Sequence, residues 1–126
     1  MQAHSDGDVL VHSLIDAILG AINAGDIGAH FPDDDVQYKN ANSLDLLQNI
    51  YKLMSSEGYF LMNMDATIIL EKPKLSKYIN KMKENIAETL NCSTDILSIK
   101  ATTSEGIGFV GRQEGIACLC SILLDK

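Results

Sequence analysis

Cysteines and basic residues are scarce in this sequence, and it has no long apolar run. The three cysteines, Cys92, Cys118 and Cys120, are odd in number and show no CxxC spacing, so they fit reduced thiols in a cytosol-like compartment rather than a disulfide scaffold. No apolar run reaches the roughly 18 residues of a membrane-spanning helix, which excludes an integral membrane protein. The first six residues form neither a basic nor an apolar segment, so secretion is not indicated.

The few basic charges are also unevenly placed. A net charge of −7 argues against general nucleic-acid binding, which needs a basic face to displace counterions. Residues 1–71 carry a net charge of −9, whereas residues 72–112 carry +3. An acidic half beside a basic half suits a metal ion with a small anion, and it equally suits two solvated faces of opposite sign.

The length of 126 residues fits one domain, residues 1–126, and the 46% hydrophobic content is enough for a core. Apolar residues at helical spacing predict helices from Ser5 to near Gly25, over 44–56 and over 76–90. Alternating or β-branched segments predict strands over 59–70, 97–102 and 114–124. Residues 26–43 are predicted to be a loop, with Ser43 as a potential helix cap. The predicted fold class is α/β (α+β), a small mixed sheet packed against helices.

The first predicted helix carries the strongest candidate for chemistry. Ser5 and Asp8 resemble a capping box at its start, and Asp8, His12 and Asp16 follow at intervals of four, on one face. A neutral imidazole such as His12 is a common zinc ligand, and Asp16 could accept its second ring N–H. The alternative is a histidine paired with an acid for solubility. One histidine does not make a site, so the spacing leaves both interpretations open.

Several short segments contain residue types that bind phosphates, sugars or metals, and exposed turns would explain them equally well. His4 and Ser5 precede the predicted helix, where backbone N–H groups favour a phosphate, unless they belong to a flexible tail. The hydroxyls and carboxylate of residues 102–105 suit a diphosphate–Mg²⁺ complex. Acids in 26–28 and 33–35 could bind ribose hydroxyls or a divalent ion. The Lys72-Pro73-Lys74 segment could bind an anion, and Arg112 could bind a phosphate through two hydrogen bonds.

Three strings, in this order and spacing, resemble one enzyme family from Ala3 to the C-terminus: AHSDGDVLVHSLIDAILGAINAGDIGAHFPD, IILEKPKL and IKATTSEGIGFVGRQEGIA. The family is 2-C-methyl-D-erythritol 2,4-cyclodiphosphate synthase, and HSDGD-x3-H and KATT-x-E-x2-GF-x-GR are highly specific signatures. The resemblance implies a homotrimeric lyase of non-mevalonate isoprenoid biosynthesis, with an active site at each subunit interface. In its reaction, the 2-phosphate of 4-diphosphocytidyl-2-C-methyl-D-erythritol 2-phosphate attacks the β-phosphate, which yields the cyclic diphosphate and CMP.

The resemblance also implies a role for each matched residue. His12 matches the histidine that binds Zn²⁺ or a similar divalent ion, and Glu105 matches the segment that holds Mg²⁺ or Mn²⁺ through the diphosphate. His4 and Thr103 match positions that stabilise the transition state. Residues 26–28 match contacts to the ribose and erythritol, and residues 31–35 match the substrate loop that follows. Residues 70–76 match the cytidine pocket, and residues 102–105 match the phosphate segment. Phe109 and Arg112 match positions near the substrate or the trimer axis. These matched residues are His4, Ser5, Asp26, Ile27, Gly28, Phe31, Pro32, Asp33, Asp34, Asp35, Leu70, Glu71, Lys72, Pro73, Lys74, Leu75, Ser76, Thr102, Thr103, Ser104, Glu105, Phe109 and Arg112.

Two departures from the family pattern stand out. The family begins with a strand whose D-x-H motif supplies the other two zinc ligands, and this sequence contains no D-x-H. We therefore expect residues before Met1 in the working protein, the other interpretation being a degraded copy; Asp8 could in principle substitute as a ligand. Leu119 stands where many relatives have a glutamate near the trimer axis beside Arg112, which would make an axial channel more apolar.

Two other functions compete with the synthase. A trimeric cytidine-nucleotide-binding remnant would have lost zinc and turnover, and a generic metal phosphohydrolase would explain the acids alone. The synthase hypothesis predicts a small diphosphocytidyl substrate as partner, with no nucleic acid and no membrane. It predicts a cytoplasmic location, or the stroma in a plastid-bearing organism.

Overall fold

The computed structural model of the chain describes residues 3–30, 42–69, 76–102 and 116–126. The elements in chain order are α1 (Ala3–Ala21), α2 (Ile27–His30), α3 (Ser43–Ser56), β1 (Phe60–Ile69), α4 (Ser76–Leu90), a 3-10 turn (Thr94–Ile96), β2 (Leu97–Thr102) and β3 (Ala117–Asp125). In the described part of the chain, no helix combines the length and apolar character needed to cross a membrane.

Strand β1 is the centre of a three-stranded mixed sheet with the order β2-β1-β3. It pairs with β2 in parallel and with β3 antiparallel. A parallel pair needs a long crossover between its strands, and here α4 and the 3-10 turn lie in that connection. The small mixed sheet with packed helices confirms the predicted fold class.

Helices cover one face of this sheet, and the core lies between them and the strands. Met64, Ala66 and Ile68 of β1 point to that side and are at most 1% exposed. Because successive strand residues point to opposite faces, Asp65 and Thr67 lie on the other side. The alternation in β1 therefore separates a covered face from an uncovered one.

The cysteines of β3 lie on the covered side, where they are half-buried. Burial raises the pKa of Cys118 above its usual 9.0. The pKa of Cys120 rises to about 12, first because of burial and then because of the nearby charges of Cys118 and Asp65. Both thiols therefore stay protonated near neutral pH, which agrees with reduced and unreactive cysteines.

The uncovered face combines an ion pair with exposed leucines. Lys100 Nζ lies 2.9 Å from Asp65 Oδ1, and its hydrogen bond is the main reason that the pKa of Asp65 is lowered. Both side chains are about half exposed, so this pair adds little to stability. Leu119 and Leu123 of β3 are 68% and 54% exposed on the same face.

Helix α1 is buried over a broader stripe than its apolar spacing indicated. Leu10, Leu14 and Ile18 are fully buried as expected, and Ile15 and Leu19 are fully buried as well. The helix packs against β3 on one side and α3 on another, so two flanks of its surface are removed from water. This double contact makes α1 the largest contributor of buried side chains among the helices.

Three boundaries differ from the sequence-based prediction. Helix α1 begins at Ala3, so His4 and Ser5 lie inside its first turn and Ser5 does not cap it. Asn42, not Ser43, caps α3, because its side chain accepts a hydrogen bond from Leu44 N at 2.8 Å. The short helix α2 lies within the segment predicted to be a loop. It forms because the side-chain oxygen of Asp26 accepts from Ala29 N at 2.9 Å.

Some of the remaining bounds agree with the prediction and others differ. Helix α1 ends at Ala21, four residues before the predicted stop at Gly25. Asn23, with a φ of +55°, and the bond from Ala24 N to the Leu19 carbonyl at 2.9 Å close the helix instead. Gly25 itself has a φ of +89°, which only glycine adopts at little cost. Gly58 has the same φ directly after α3. The bounds of α4 and β2 match the predicted 76–90 and 97–102. Strand β3 begins three residues later than predicted and ends one residue later, with 114 and 115 outside the described residues.

We predict that Ile86→Ala lowers the free energy of unfolding by about 2–5 kcal/mol, since it leaves a cavity in the core. Ile86 lies on α4 and is 1% exposed. Urea unfolding followed by circular dichroism measures the change. The exposed Glu88→Ala on the same helix is the control and should change the value by less than about 0.5 kcal/mol. Similar losses in both variants would contradict the assignment of Ile86 to the core.

Candidate functional site

The strands after which candidate segments follow in the sequence end at one edge of the sheet. Ile69, the last residue of β1, pairs with Thr102, the last residue of β2. Ile69 also pairs with Ala117, the first residue of β3. The last residues of β1 and β2 therefore lie beside the first residue of β3. Ligands of α/β proteins commonly bind at such carboxyl ends of parallel strands.

His12 is exposed on α1, and its ring has a defined hydrogen bond. Nδ1 lies 2.9 Å from the backbone oxygen of Asp8. A carbonyl oxygen only accepts, so Nδ1 donates, and in the neutral ring the lone pair is on Nε2. The partner of Nδ1 is therefore this carbonyl rather than the carboxylate of Asp16 that we expected. A backbone carbonyl in that position is a common way to orient a ligating histidine.

Two contacts place the His12 turn relative to the rest of the fold. The hydroxyl of Ser13 lies 3.5 Å from the Cys118 carbonyl oxygen, near the start of β3. On the other side, the hydroxyl of Ser43 donates to Asp8 Oδ1 at 2.7 Å. The His12 turn is thus positioned between the start of β3 and the start of α3.

The turn formed by Asp26, Ile27 and Gly28 lies beyond the C-terminal end of α1. Asp26 caps α2, and His30 closes the turn by donating from Nε2 to the Ala24 carbonyl at 2.7 Å. The capping bond uses one carboxylate oxygen of Asp26, whose side chain is exposed. These two hydrogen bonds close the turn and leave the Asp26 carboxylate at the surface.

The helix keeps two groups of candidate residues apart. About 13 Å of α1 separates His12 from Ala21, and Asp26 lies further along the chain. His4 lies two turns before His12, at a separation of about 12 Å along the axis. Within one chain, the His12 turn therefore lies near the start of β3, and the Asp26 turn lies beyond the C-terminal end of α1.

The described residues fit zinc only in part. His12 provides an exposed imidazole with a fixed Nδ1–H, as one zinc ligand requires. No group of three or more His, Cys, Asp or Glu side chains in the described ranges lies close enough together to hold a metal ion. Asp8, a conceivable substitute ligand, uses Oδ1 to accept from Ser43. One matched ligand, His12, is thus in place.

Much of the expected site lies outside the described residues. Of the matched positions, His4, Ser5, His12, Asp26, Ile27, Gly28, Ser76 and Thr102 fall within them. Ser76 begins α4, and Thr102 ends β2. The others lie outside: Phe31, Pro32, Asp33, Asp34, Asp35, Leu70, Glu71, Lys72, Pro73, Lys74, Leu75, Thr103, Ser104, Glu105, Phe109 and Arg112.

Sequence reasoning missed two residues that shape the site. His30 was not singled out, although a histidine a few residues after a glycine turn can close that turn. Ser43 was considered only as a helix cap, and its bond to Asp8 spans 35 positions. No local pattern predicts a contact at that separation. The one local signal is the neighbouring Asn42, which is also a favoured N-cap residue and so leaves the Ser43 hydroxyl available for another partner.

Comparison with known proteins gives one consistent result. The YgbB family model matches residues 1–125. The chain is 51% identical to the 2-C-methyl-D-erythritol 2,4-cyclodiphosphate synthase of Clostridioides difficile, over 98% of this chain and 78% of that protein. It is 53% identical to the enzyme of the same name from Cellvibrio japonicus, with the same coverage of both chains.

Solved structures agree with the sequence relatives. The bifunctional IspDF of Campylobacter jejuni superposes with a TM-score of 0.88 at 49% identity, over 98% of this chain and 33% of that one. The CDP complex of Plasmodium falciparum IspF gives a TM-score of 0.81 at 33% identity, over 92% of this chain and 69% of that one. The chain therefore belongs to the YgbB family, together with the 2-C-methyl-D-erythritol 2,4-cyclodiphosphate synthases that it matches over nearly its whole length.

Proposed function

We propose that this chain is a cyclodiphosphate synthase subunit of non-mevalonate isoprenoid biosynthesis, a phosphorus–oxygen lyase that forms CMP. Its substrate is 4-diphosphocytidyl-2-C-methyl-D-erythritol 2-phosphate, and its product is 2-C-methyl-D-erythritol 2,4-cyclodiphosphate. The observation that carries the proposal is the identity of 51–53% over 98% of the chain with proteins of that name. Strands β1 and β2, after which the segments 70–76 and 103–105 follow in the sequence, end side by side, and this supports the proposal.

In the proposed reaction an oxygen of the 2-phosphate attacks the β-phosphorus. A new P–O bond forms as the bond from the β-phosphorus to the oxygen of the α-phosphate breaks, and CMP leaves with that oxygen and its electron pair. Catalysis of this kind depends on positioning and charge neutralisation. A bound divalent ion, Zn²⁺ on His12 and Mg²⁺ or Mn²⁺ near Glu105, would supply positive charge that a protein of net charge −7 lacks.

The chain's own residues have separate tasks in this proposal. Thr103 donates a hydrogen bond from its hydroxyl to a phosphate oxygen in the transition state, and His4 stabilises the same charge. The segment 70–76 binds cytidine through backbone groups around Pro73 and Lys74, and the turn at 26–28 binds the ribose and erythritol hydroxyls. Phe109 and Arg112 lie close to the substrate or the trimer axis. The CDP bound by the Plasmodium falciparum relative supports the proposal that this chain binds the nucleoside diphosphate part of the substrate.

The separation along α1 supports a trimer with sites between subunits. His12 lies at the middle of α1, whereas the Asp26 turn lies beyond the C-terminal end of that helix. Two turns that serve adjacent groups of one substrate would then come from different copies of the chain. The exposed Leu119 and Leu123 offer apolar surface for contact between copies. Residues 1–126 form one domain in this proposal, and the enzyme acts in the cytoplasm or, in a plastid-bearing organism, the stroma.

The purified chain should convert the natural substrate into CMP and the cyclic diphosphate in equal amounts when Mg²⁺ and Zn²⁺ are present. Removal of divalent ions by a chelator should abolish CMP release, and added metal should restore it, because the diphosphate charge must be neutralised. Product analysis by phosphorus NMR distinguishes the alternatives. A linear product would favour a metal phosphohydrolase, and CDP binding without turnover would favour a nucleotide-binding remnant.

Thr103→Ala should lower kcat for CMP release by about a hundredfold, the usual effect of removing one donor to a developing oxyanion. The elution volume of the assembly in size-exclusion chromatography should not change. The exposed Thr94→Ala, in the 3-10 turn before β2, removes an equivalent hydroxyl and should retain activity. Loss of the assembly in Thr103→Ala would show a structural role instead.

His12→Gln should weaken Zn²⁺ or Co²⁺ binding by at least about tenfold, since the imidazole is the ligand. His30→Gln is the matched control, because glutamine can keep the N–H bond to the Ala24 carbonyl and His30 is outside the proposed metal set. Titration with Co²⁺, followed by absorption, measures both variants. Equal metal affinity in wild type and His12→Gln would remove His12 from the ligand set.

A further inference from the structure

The Asp8 carboxylate makes a contact that the proposed phosphoryl transfer does not use. Its Oδ1 accepts from the Ser43 hydroxyl at 2.7 Å, and Ser43 is only 9% exposed. This bond joins the second turn of α1 to the first residue of α3. Asn42 caps α3, so the Ser43 hydroxyl is not needed at the helix end.

Asp8 also contacts His12, through its backbone. The Asp8 carbonyl oxygen accepts from His12 Nδ1 at 2.9 Å, which fixes the proton on that nitrogen. One residue therefore connects the start of α3, through its carboxylate, with the orientation of the His12 ring, through its carbonyl.

The turn of α1 that contains Asp8 is less buried than the turns after it. Within residues 7–21, where the burial of α1 is described, the fully buried residues begin at Leu10, whereas Gly7 and Asp8 are only partly buried. An open cavity of about 290 Å³ lies between α1, α3 and α4, and Gly7 and Asp8 line it. Met82 of α4 also lines this cavity and lies close to Gly7. Helix ends with few buried contacts open locally, so a hydrogen bond to a neighbouring element matters most there.

We propose that Asp8 is a positioning residue whose bond to Ser43 holds the first turns of α1 and thereby orients His12. Its effect on catalysis rests on the proposed synthase function. The Asp8–Ser43 bond also connects the His12 turn with the start of α3. In the sequence, α3 follows the segment 31–35 that is matched to the substrate loop. Asp8 thus acts through His12 and touches neither substrate nor metal.

Ser43→Ala is the sharpest test, because it removes the donor without changing any charge. Two-bond ¹H–¹⁵N correlation spectra report the His12 tautomer, and in this variant they should move from the Nδ1–H form towards a mixture. Amide hydrogen exchange at residues 8–12 should become about tenfold faster, with no change in α4. The kcat for CMP release should fall about tenfold, as for other residues that orient a ligand. Ser43→Thr keeps the hydroxyl and should restore the tautomer.

Asp8→Ala and Asp16→Ala form a matched pair for separating geometry from charge. Each removes one carboxylate four residues from His12, and alanine keeps the helix. Asp8→Ala should reproduce the changes of Ser43→Ala in tautomer and exchange. Asp16→Ala, at an exposed position, should leave both close to wild type. Equal effects in the pair would show that charge, not the Ser43 bond, governs His12, and would overturn the proposal.

The remaining outcomes are decisive as well. An unchanged tautomer and unchanged exchange in Ser43→Ala would overturn the proposal, and so would faster exchange throughout the chain, which would indicate general destabilisation. Failure of the synthase function would appear separately, as absence of CMP release in the wild type. The tautomer and exchange measurements would then still decide the role of Asp8, because neither needs substrate.

Discussion

The pairing of β1 with both of its neighbours is the constraint on which the rest of the structure depends. Its register sets Met64, Ala66 and Ile68 towards the helices, and a slip of one residue would turn them to the uncovered face. The same register brings the ends of β1 and β2 together with the start of β3. Core formation and the alignment of these strand ends therefore have one cause, so mutations that shift β1 should damage both.

Helix α1 links this sheet to the chemistry on its surface. Its apolar side packs on β3 and α3, which fixes where its polar stripe lies. On that stripe, His12 is exposed but oriented by a backbone carbonyl. The buried side of α1 thus fixes the position of the helix, and the polar side presents the His12 imidazole in a defined orientation and tautomer. Contacts such as the Asp8–Ser43 bond extend this order to the turn that contains Asp8, which is less buried than the turns after it.

The sequence was sufficient where one local pattern dominated. Ser76–Leu90 has a clear helical stripe and Leu97–Thr102 a clear strand pattern, and both matched the structure to the residue. Prediction failed where competing local signals or distant contacts decided the outcome. Asn42 and Ser43 are both good caps, and the buried bond from Ser43 to Asp8 shows which of the two serves another purpose. At the site, spacing predicted the shared face of Asp8 and His12 but not the carbonyl that orients the ring.

The geometry of α1 also limits how one substrate can use this chain. In the proposed reaction the β-phosphate and the erythritol are directly bonded, so the groups that hold them must lie close together. His12 and the Asp26 turn are separated by about 13 Å of helix and the residues beyond Ala21. A helix packed on two sides cannot bend to close that gap. If the two turns that serve one substrate come from different copies, assembly is a condition of activity rather than an addition to it.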